Sequence, residues 1–113
     1  MKCLYGDALE KALVKQEFSA AERIGELRLG KTLLLHRYFF RTVYIRYQDI
    51  CRVYQRIESG ESGDFTVAEH SLVVVDSTGK EHVLHVDYEQ YARECIEKLT
   101  QQHRNIVSGK SET

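Results

Sequence analysis

The sequence predicts an α+β fold, a run of antiparallel strands followed by one amphipathic C-terminal helix, with a short helix in front. Three observations carry this expectation. Ile50 to Ile57 alternates with period two, placing Cys51, Val53 and Ile57 on one face and Arg52, Tyr54 and Arg56 on the other, as a half-buried strand does. Asp76-Ser77-Thr78-Gly79-Lys80 separates two β-rich runs, His70 to Val75 and His82 to Val86, with the length and glycine of a hairpin turn. After Asp87, the residues Tyr88, Tyr91, Ala92, Cys95, Ile96 and Leu99 recur at spacings of three and four, which stacks them on one face of a helix.

The elements follow in order. Asp7 stands where an N-cap would accept a first-turn N–H, and Leu9, Ala12, Leu13 and Gln16 share a helical stripe, so a short helix is expected over Ala8 to Gln16. Ile24 to Leu29 alternates with period two, which places the switch to sheet near Glu22 and reads as one strand. Thr32 to Phe40 and Val43 to Tyr47 are rich in apolar, aromatic and β-branched residues, giving two strands joined near Arg41-Thr42. Ser59-Gly60-Glu61-Ser62-Gly63-Asp64 has loop composition, because glycine supplies positive φ and Ser or Asp bonds nearby backbone. Asp87 and Gln90 form the Asp variant of a capping box, and Glu89 sits in the first turn, where the helix dipole favours a carboxylate. Residues 108–113 read as a frayed tail.

These elements group into an N-terminal helical extension over residues 1–21, one domain over 22–107 and the tail. At 113 residues, with 42% hydrophobic and 29% charged residues, the chain has the size and composition of one folded domain. No apolar run approaches the ~20 residues that cross a bilayer, and the N-terminus lacks the apolar core of a secretion signal. Cys3, Cys51 and Cys95 are odd in number and widely spaced, without a CxxC pair; this argues against a disulfide framework or zinc knuckle and points to the cytoplasm.

Charge is distributed unevenly. Between Glu22 and Ile57 eight basic residues face three acidic ones, a balance of +5. From Glu58 to Glu97 ten acidic residues face Lys80 and Arg93, a balance of −8. Sheets of opposite sign would make the domain electrically polar and complementary to itself.

The stretches Gly30-Lys31-Thr32-Leu33-Leu34-Leu35-His36-Arg37-Tyr38, Val43 to Tyr54 and Asp76-Ser77-Thr78-Gly79-Lys80-Glu81 together resemble the uncharacterised bacterial domains of the pleckstrin-homology-like (PH-like) superfold. The likeness spans roughly residues 22 to 107. It implies an antiparallel β-barrel of two packed sheets, about seven strands in all, closed at one end by the C-terminal helix. Phosphoinositide-binding members crowd Lys and Arg around the first hairpin loop, whereas the tip near Gly30-Lys31 carries one lysine. The chain also lacks the tryptophan found in the helix of eukaryotic relatives.

No P-loop, GxGxxG or HExxH occurs, and no Ser/His/Asp or Cys/His constellation can be assembled from the spacing, which disfavours an enzyme. His82 and His85, three apart, fall on opposite faces of a strand, so neither a metal site nor a cofactor is expected; His70 stands across the hairpin within reach of pairing with one of them. Cys51 and Cys95 lie on apolar faces as buried inert thiols, while Cys3 belongs to a loose terminus. The arginines interleaved with aromatics carry the functional signal. Arg52, Tyr54 and Arg56, with Arg37 and Arg41, are the candidate binding residues. They suit a protein or peptide partner, or a second copy of the chain. A pI near 6.5 argues against general nucleic-acid binding. Peripheral attachment of the +5 segment to an anionic membrane surface is the alternative. A small-ligand pocket lined by Tyr38, Tyr88 and Tyr91 is a third.

Overall fold

The computed structural model describes residues 1–63 and 65–109, the side chains of 61, 62, 65 and 66 excepted. The element order is β1 (Lys2–Cys3), α1 (Lys11–Ala20), β2 (Glu22–Ile24), β3 (Leu27–Leu29), β4 (Leu33–Tyr38), β5 (Arg41–Arg46), a 3-10 turn (Tyr47–Asp49), β6 (Ile50–Ser62), β7 (Phe65–Asp76), β8 (Glu81–Val86), α2 (Glu89–Gln102) and β9 (Val107–Ser108). The strands form a five-stranded sheet in the order β1-β5-β4-β3-β2 and a four-stranded sheet in the order β8-β7-β6-β9. The expected mixed α+β class holds. The closed barrel does not: β1 occupies the outer edge of β5 in parallel, and the two sheets remain separate. Helix α2 packs against strands of both sheets, β2, β3 and β6 to β9.

The core lies between the sheets. Leu27, Leu34, Ile45, Val53, Leu72, Val74, Leu84 and Val86 meet there with Ala92, Cys95 and Leu99 of α2. Each of the three helix residues is fully buried, so truncating Leu99 to Ala would cost about 2–5 kcal/mol. A second cluster, Val14, Leu33, Leu35 and Tyr44, fills the opposite face of the five-stranded sheet under α1.

Several local expectations shift for identifiable reasons. Helix α1 begins at Lys11 behind Glu10 without a side-chain cap, so Asp7 is not its N-cap; the helix turns Val14 and Phe18 inward and leaves Leu13 exposed. Tyr88, not Asp87, precedes α2, and no capping box forms because Asp87 bonds Glu26 and His85 instead. Tyr88 is itself exposed, although it belongs to the apolar stripe. The alternating run Ile24 to Leu29 folds into two strands, since Gly25 takes φ +62° and turns the chain back so that Ile24 pairs with Leu27. A Cβ at Gly25 would stand 2.3 Å from Tyr91 Cδ2, so the ring of α2 fits only over glycine.

The β4–β5 turn falls at Phe39-Phe40, two residues before the expected Arg41-Thr42, because Tyr38 pairs directly with Arg41. At Cys51 a register shift inserts one extra residue; this bulge exposes Cys51 and hands the inward positions to Ile50 and Val53. The expected loop over 59–64 is mostly ladder: β6 and β7 pair from Gln55↔Leu72 out to Ser62↔Phe65, and Asp64 lies outside the described residues. Cys3 is held in β1, where its thiol meets the Tyr5 carbonyl at 3.0 Å. Of the tail, Ser108 pairs along β6 and the Gly109 N–H donates to Val53 O at 2.9 Å; residues 110–113 lie outside the described residues. The β7–β8 hairpin stands where its sequence places it. Asp76 Oδ1 accepts from Thr78 N, Thr78 Oγ1 and Lys80 N, and Oδ2 meets His82 Nε2 at 2.9 Å.

Candidate functional site

The five-stranded sheet ends in two neighbouring turns, Gly25-Glu26 and Phe39-Phe40, tied where the Arg37 N–H donates to Glu26 O at 2.9 Å. Phe39 and Phe40 have φ of +49° and +62°, as a type I′ turn requires of both central residues. Gly and Asn adopt that conformation freely, whereas a bulky side chain is strained by about 1–2 kcal/mol each. Both phenylalanines nevertheless project into solvent, 80% and 91% exposed. Among the described residues, the aromatic contact of this pair is an oblique one between the Tyr38 and Phe39 rings at 4.4 Å. Strain combined with apolar exposure makes this tip the candidate site.

Four arginines surround this end. Arg23 and Arg28 stand directly opposite each other on β2 and β3, an arrangement that like charges disfavour. Arg37 follows on β4 and Arg41 opens β5. Arg28 lies over the Phe18 ring at 4.1 Å and Arg37 over the same ring at 5.8 Å, so one aromatic of α1 braces both guanidinium groups. Burial, followed by the charges of Arg23 and Arg37, pushes the Arg28 pKa below its ordinary value. Among the described residues none of these four arginines has a carboxylate oxygen within 4.0 Å, whereas Arg46, Arg56 and Arg93 do.

Arg23, Arg28 and Arg37 line a hollow of about 190 Å³ with Gly25, Glu26, Asp87 and Tyr91. The two carboxyls there are linked. Asp87 N–H donates to Glu26 Oε1 at 3.2 Å, and His85 Nε2 meets Asp87 Oδ1 at 3.1 Å. Burial, then the hydrogen bond with Asp87, raises the Glu26 pKa; the bonds from Glu26 and His85 lower that of Asp87. Glu26 therefore takes up a proton before Asp87 does as pH falls, and the hollow becomes more positive.

The candidate residues read from the sequence divide between two places. Arg37 and Arg41 belong to the tip. Arg52, Tyr54 and Arg56 lie on the four-stranded sheet, where they have partners within the chain. Arg52 Nη1 donates to Gly109 O at 3.0 Å. Tyr54 is buried, its hydroxyl bonded to Glu81 and accepting from Arg56 Nη2 at 3.1 Å. Arg56 also lies 3.7 Å from Glu81 and 3.9 Å from Glu58. The sequence shows Phe39 and Phe40 among the aromatics beside the arginines but not as a turn, and it does not single out Arg23 and Arg28 as site residues. The phenylalanines look like strand residues in a β-rich run, and the arginines meet only through the β2–β3 register.

The other polar groups are committed elsewhere. His82 and His85 do fall on opposite faces; His82 is buried against Asp76, whose pKa burial works to raise but bonds from Thr78, His82 and Lys80 hold at about 2. His70 pairs with Val86 rather than with either histidine. Burial pushes the Cys95 thiol up to about 12, leaving it protonated and inert. The tyrosines expected around one pocket are spread out. Tyr91 lines the arginine hollow, while Tyr38 lines a cleft between β5 and β8 with His36, Arg41 and His82. His36 Nε2 crosses to the other sheet and meets His85 O at 2.7 Å.

A family described as a domain of unknown function, DUF6709, matches residues 6–113. The chain belongs to this family. The match takes in α1 together with both sheets and α2, so the N-terminal helix lies within the family's own extent. No curated protein and no solved structure matches the chain.

Proposed function

We propose that this DUF6709 chain is a non-enzymatic binding module of PH-like architecture that attaches to anionic membrane surfaces through the paired turns of its five-stranded sheet. The observation that carries the reading is the tip itself: two strained, solvent-facing phenylalanines among four arginines that have no carboxylate partner among the described residues. Aromatic side chains enter the headgroup boundary, and each nearby cation adds about 1 kcal/mol of attraction to an anionic leaflet. Reversible peripheral attachment needs both contributions, and both occur on one end of the domain. The PH-like reading of the fold is supported by the two sheets, the strands β2 to β8 and the C-terminal helix packed across both.

Vesicle flotation tests the proposal. The chain should rise with phosphatidylserine-containing vesicles, stay down with neutral ones, and lose binding as salt screens the surface. Equal recovery with both kinds of vesicle, or with neither, would sink it.

A second reading, recognition of a protein or of another copy through the strand that carries Arg52, Tyr54 and Arg56, draws support from the free backbone edge of that strand.

A further inference from the structure

Strand β6 runs thirteen residues, but its outer edge is covered only at its start, where β9 pairs with Arg52 and Val53. Beyond Val53 the backbone of β6, among the described residues, pairs with β7 alone. The direction of the free groups can be read from one bond. Val53 O points to the outer edge, where it accepts from the Gly109 N–H at 2.9 Å. Register is regular from Arg52 to Ser62, so the antiparallel alternation directs the N–H and C=O groups of Gln55, Ile57 and Ser59 the same way. Two of the usual defences of an edge are missing: the chain contains no proline, and Tyr54 to Gly60 contains no lysine.

We infer that this edge is a self-recognition surface, on which a second copy of the chain pairs β6 with β6 antiparallel about a two-fold axis through Ile57. The register follows from charge. With Ile57 opposite Ile57, Arg56 of each copy faces Glu58 of the other, giving two complementary pairs, and the outward groups of Gln55, Ile57 and Ser59 meet their counterparts in phase. Moving the axis by one residue sets Arg56 against Arg56 or Glu58 against Glu58. The same register brings together the Ile57 side chains, each 54% exposed in the single chain. It also places Gln55, whose buried Nε2 has no hydrogen-bond partner among the described residues, opposite the Ser59 hydroxyl of the other copy. The paired run stops at Tyr54 because β9 occupies the edge beyond it.

Sedimentation velocity on the full chain tests this, with circular dichroism as the check on folding. The wild type should show a concentration-dependent dimer. R56E and E58R should each weaken it about tenfold, since each sets like charges opposite one another twice. An equimolar mixture of R56E and E58R should recover the dimer, because the two chains are then complementary to each other. Ile57→Pro should be monomeric, as it removes an outward N–H that β7 does not use. A wild type that stays monomeric at every concentration overturns the inference. So does a dimer that survives Ile57→Pro, or a failure of the two charge-reversed chains to recover association when mixed.

Discussion

Two hairpins reach away from the core of this protein, and they are built on opposite plans. The β4–β5 hairpin is short, pairs closely between Leu33↔Arg46 and Tyr38↔Arg41, and ends on two phenylalanines in a backbone conformation that glycine would fill more cheaply. The β6–β7 hairpin is long, yet β8 pairs only with its His70–Val75 portion and β9 only at Arg52 and Val53. One presents side chains at a tip; the other presents backbone along an edge. Their charges differ as well, with four arginines around the first and Glu58 and Glu69 along the second. On the proposed reading, the tip recognises by side-chain chemistry and the edge by main-chain pairing.

The largest effect should come from removing the charge of the first hairpin end. Replacing Arg23, Arg28 and Arg37 together by Gln should weaken binding to anionic vesicles about a hundredfold at low salt, on about 1 kcal/mol for each charge, while the edge-mediated dimer stays intact by sedimentation. Loss of both properties together would merge the two sites into one.

Gly25→Ala should destabilise the fold by about 2–3 kcal/mol, read as a lower urea midpoint, because the new methyl meets the Tyr91 ring and φ is positive. Acid addresses the far end of β7. Asp76 has its folded pKa lowered from 3.8 to about 2, so its contribution is present above pH 3.8 and is lost as pH falls toward 2. Urea midpoints should fall over that window in the wild type and vary less in Asp76→Asn, which starts out less stable.

Replacing Phe39-Phe40 by Asn-Gly separates stability from function within one hairpin. The variant should gain about 1–2 kcal/mol of stability from relief of the turn and lose vesicle binding. A less stable variant would mean that the aromatics serve the fold. The smallest effect on stability belongs to the arm: Ile57→Thr should shift it by less than about 0.5 kcal/mol, because the side chain is already half in solvent.

Much of the architecture was legible because it rests on local rules. The turn at Asp76 to Lys80 contains a glycine at φ +89° and an Asp that caps backbone donors two and four residues ahead, both visible in composition. Helix α2 followed from periodicity, since burying Ala92, Cys95 and Leu99 on one stripe needs only a helical repeat. The candidate site was half legible. Arg37 and Arg41 stood out beside aromatics, but Arg23 and Arg28 join them only through pairing across strands, and the turn at Phe39-Phe40 breaks every compositional rule for turns. The bulge at Cys51 was hidden for a similar reason: alternation in a sequence fixes which residues share a face, and one extra residue in the ladder reverses it.

By itself, the sequence determined the class of elements, most of their order, the unequal charge of the two halves and the amphipathic C-terminal helix. Each of these depends on residues within a few positions of one another. Tertiary structure alone decided that two sheets stay separate, that Arg28 and Arg37 from two strands gather over Phe18, and that β6 outruns the strands that cover it. Those outcomes depend on register and on strand lengths relative to their neighbours, and such relations exist only once distant segments are paired.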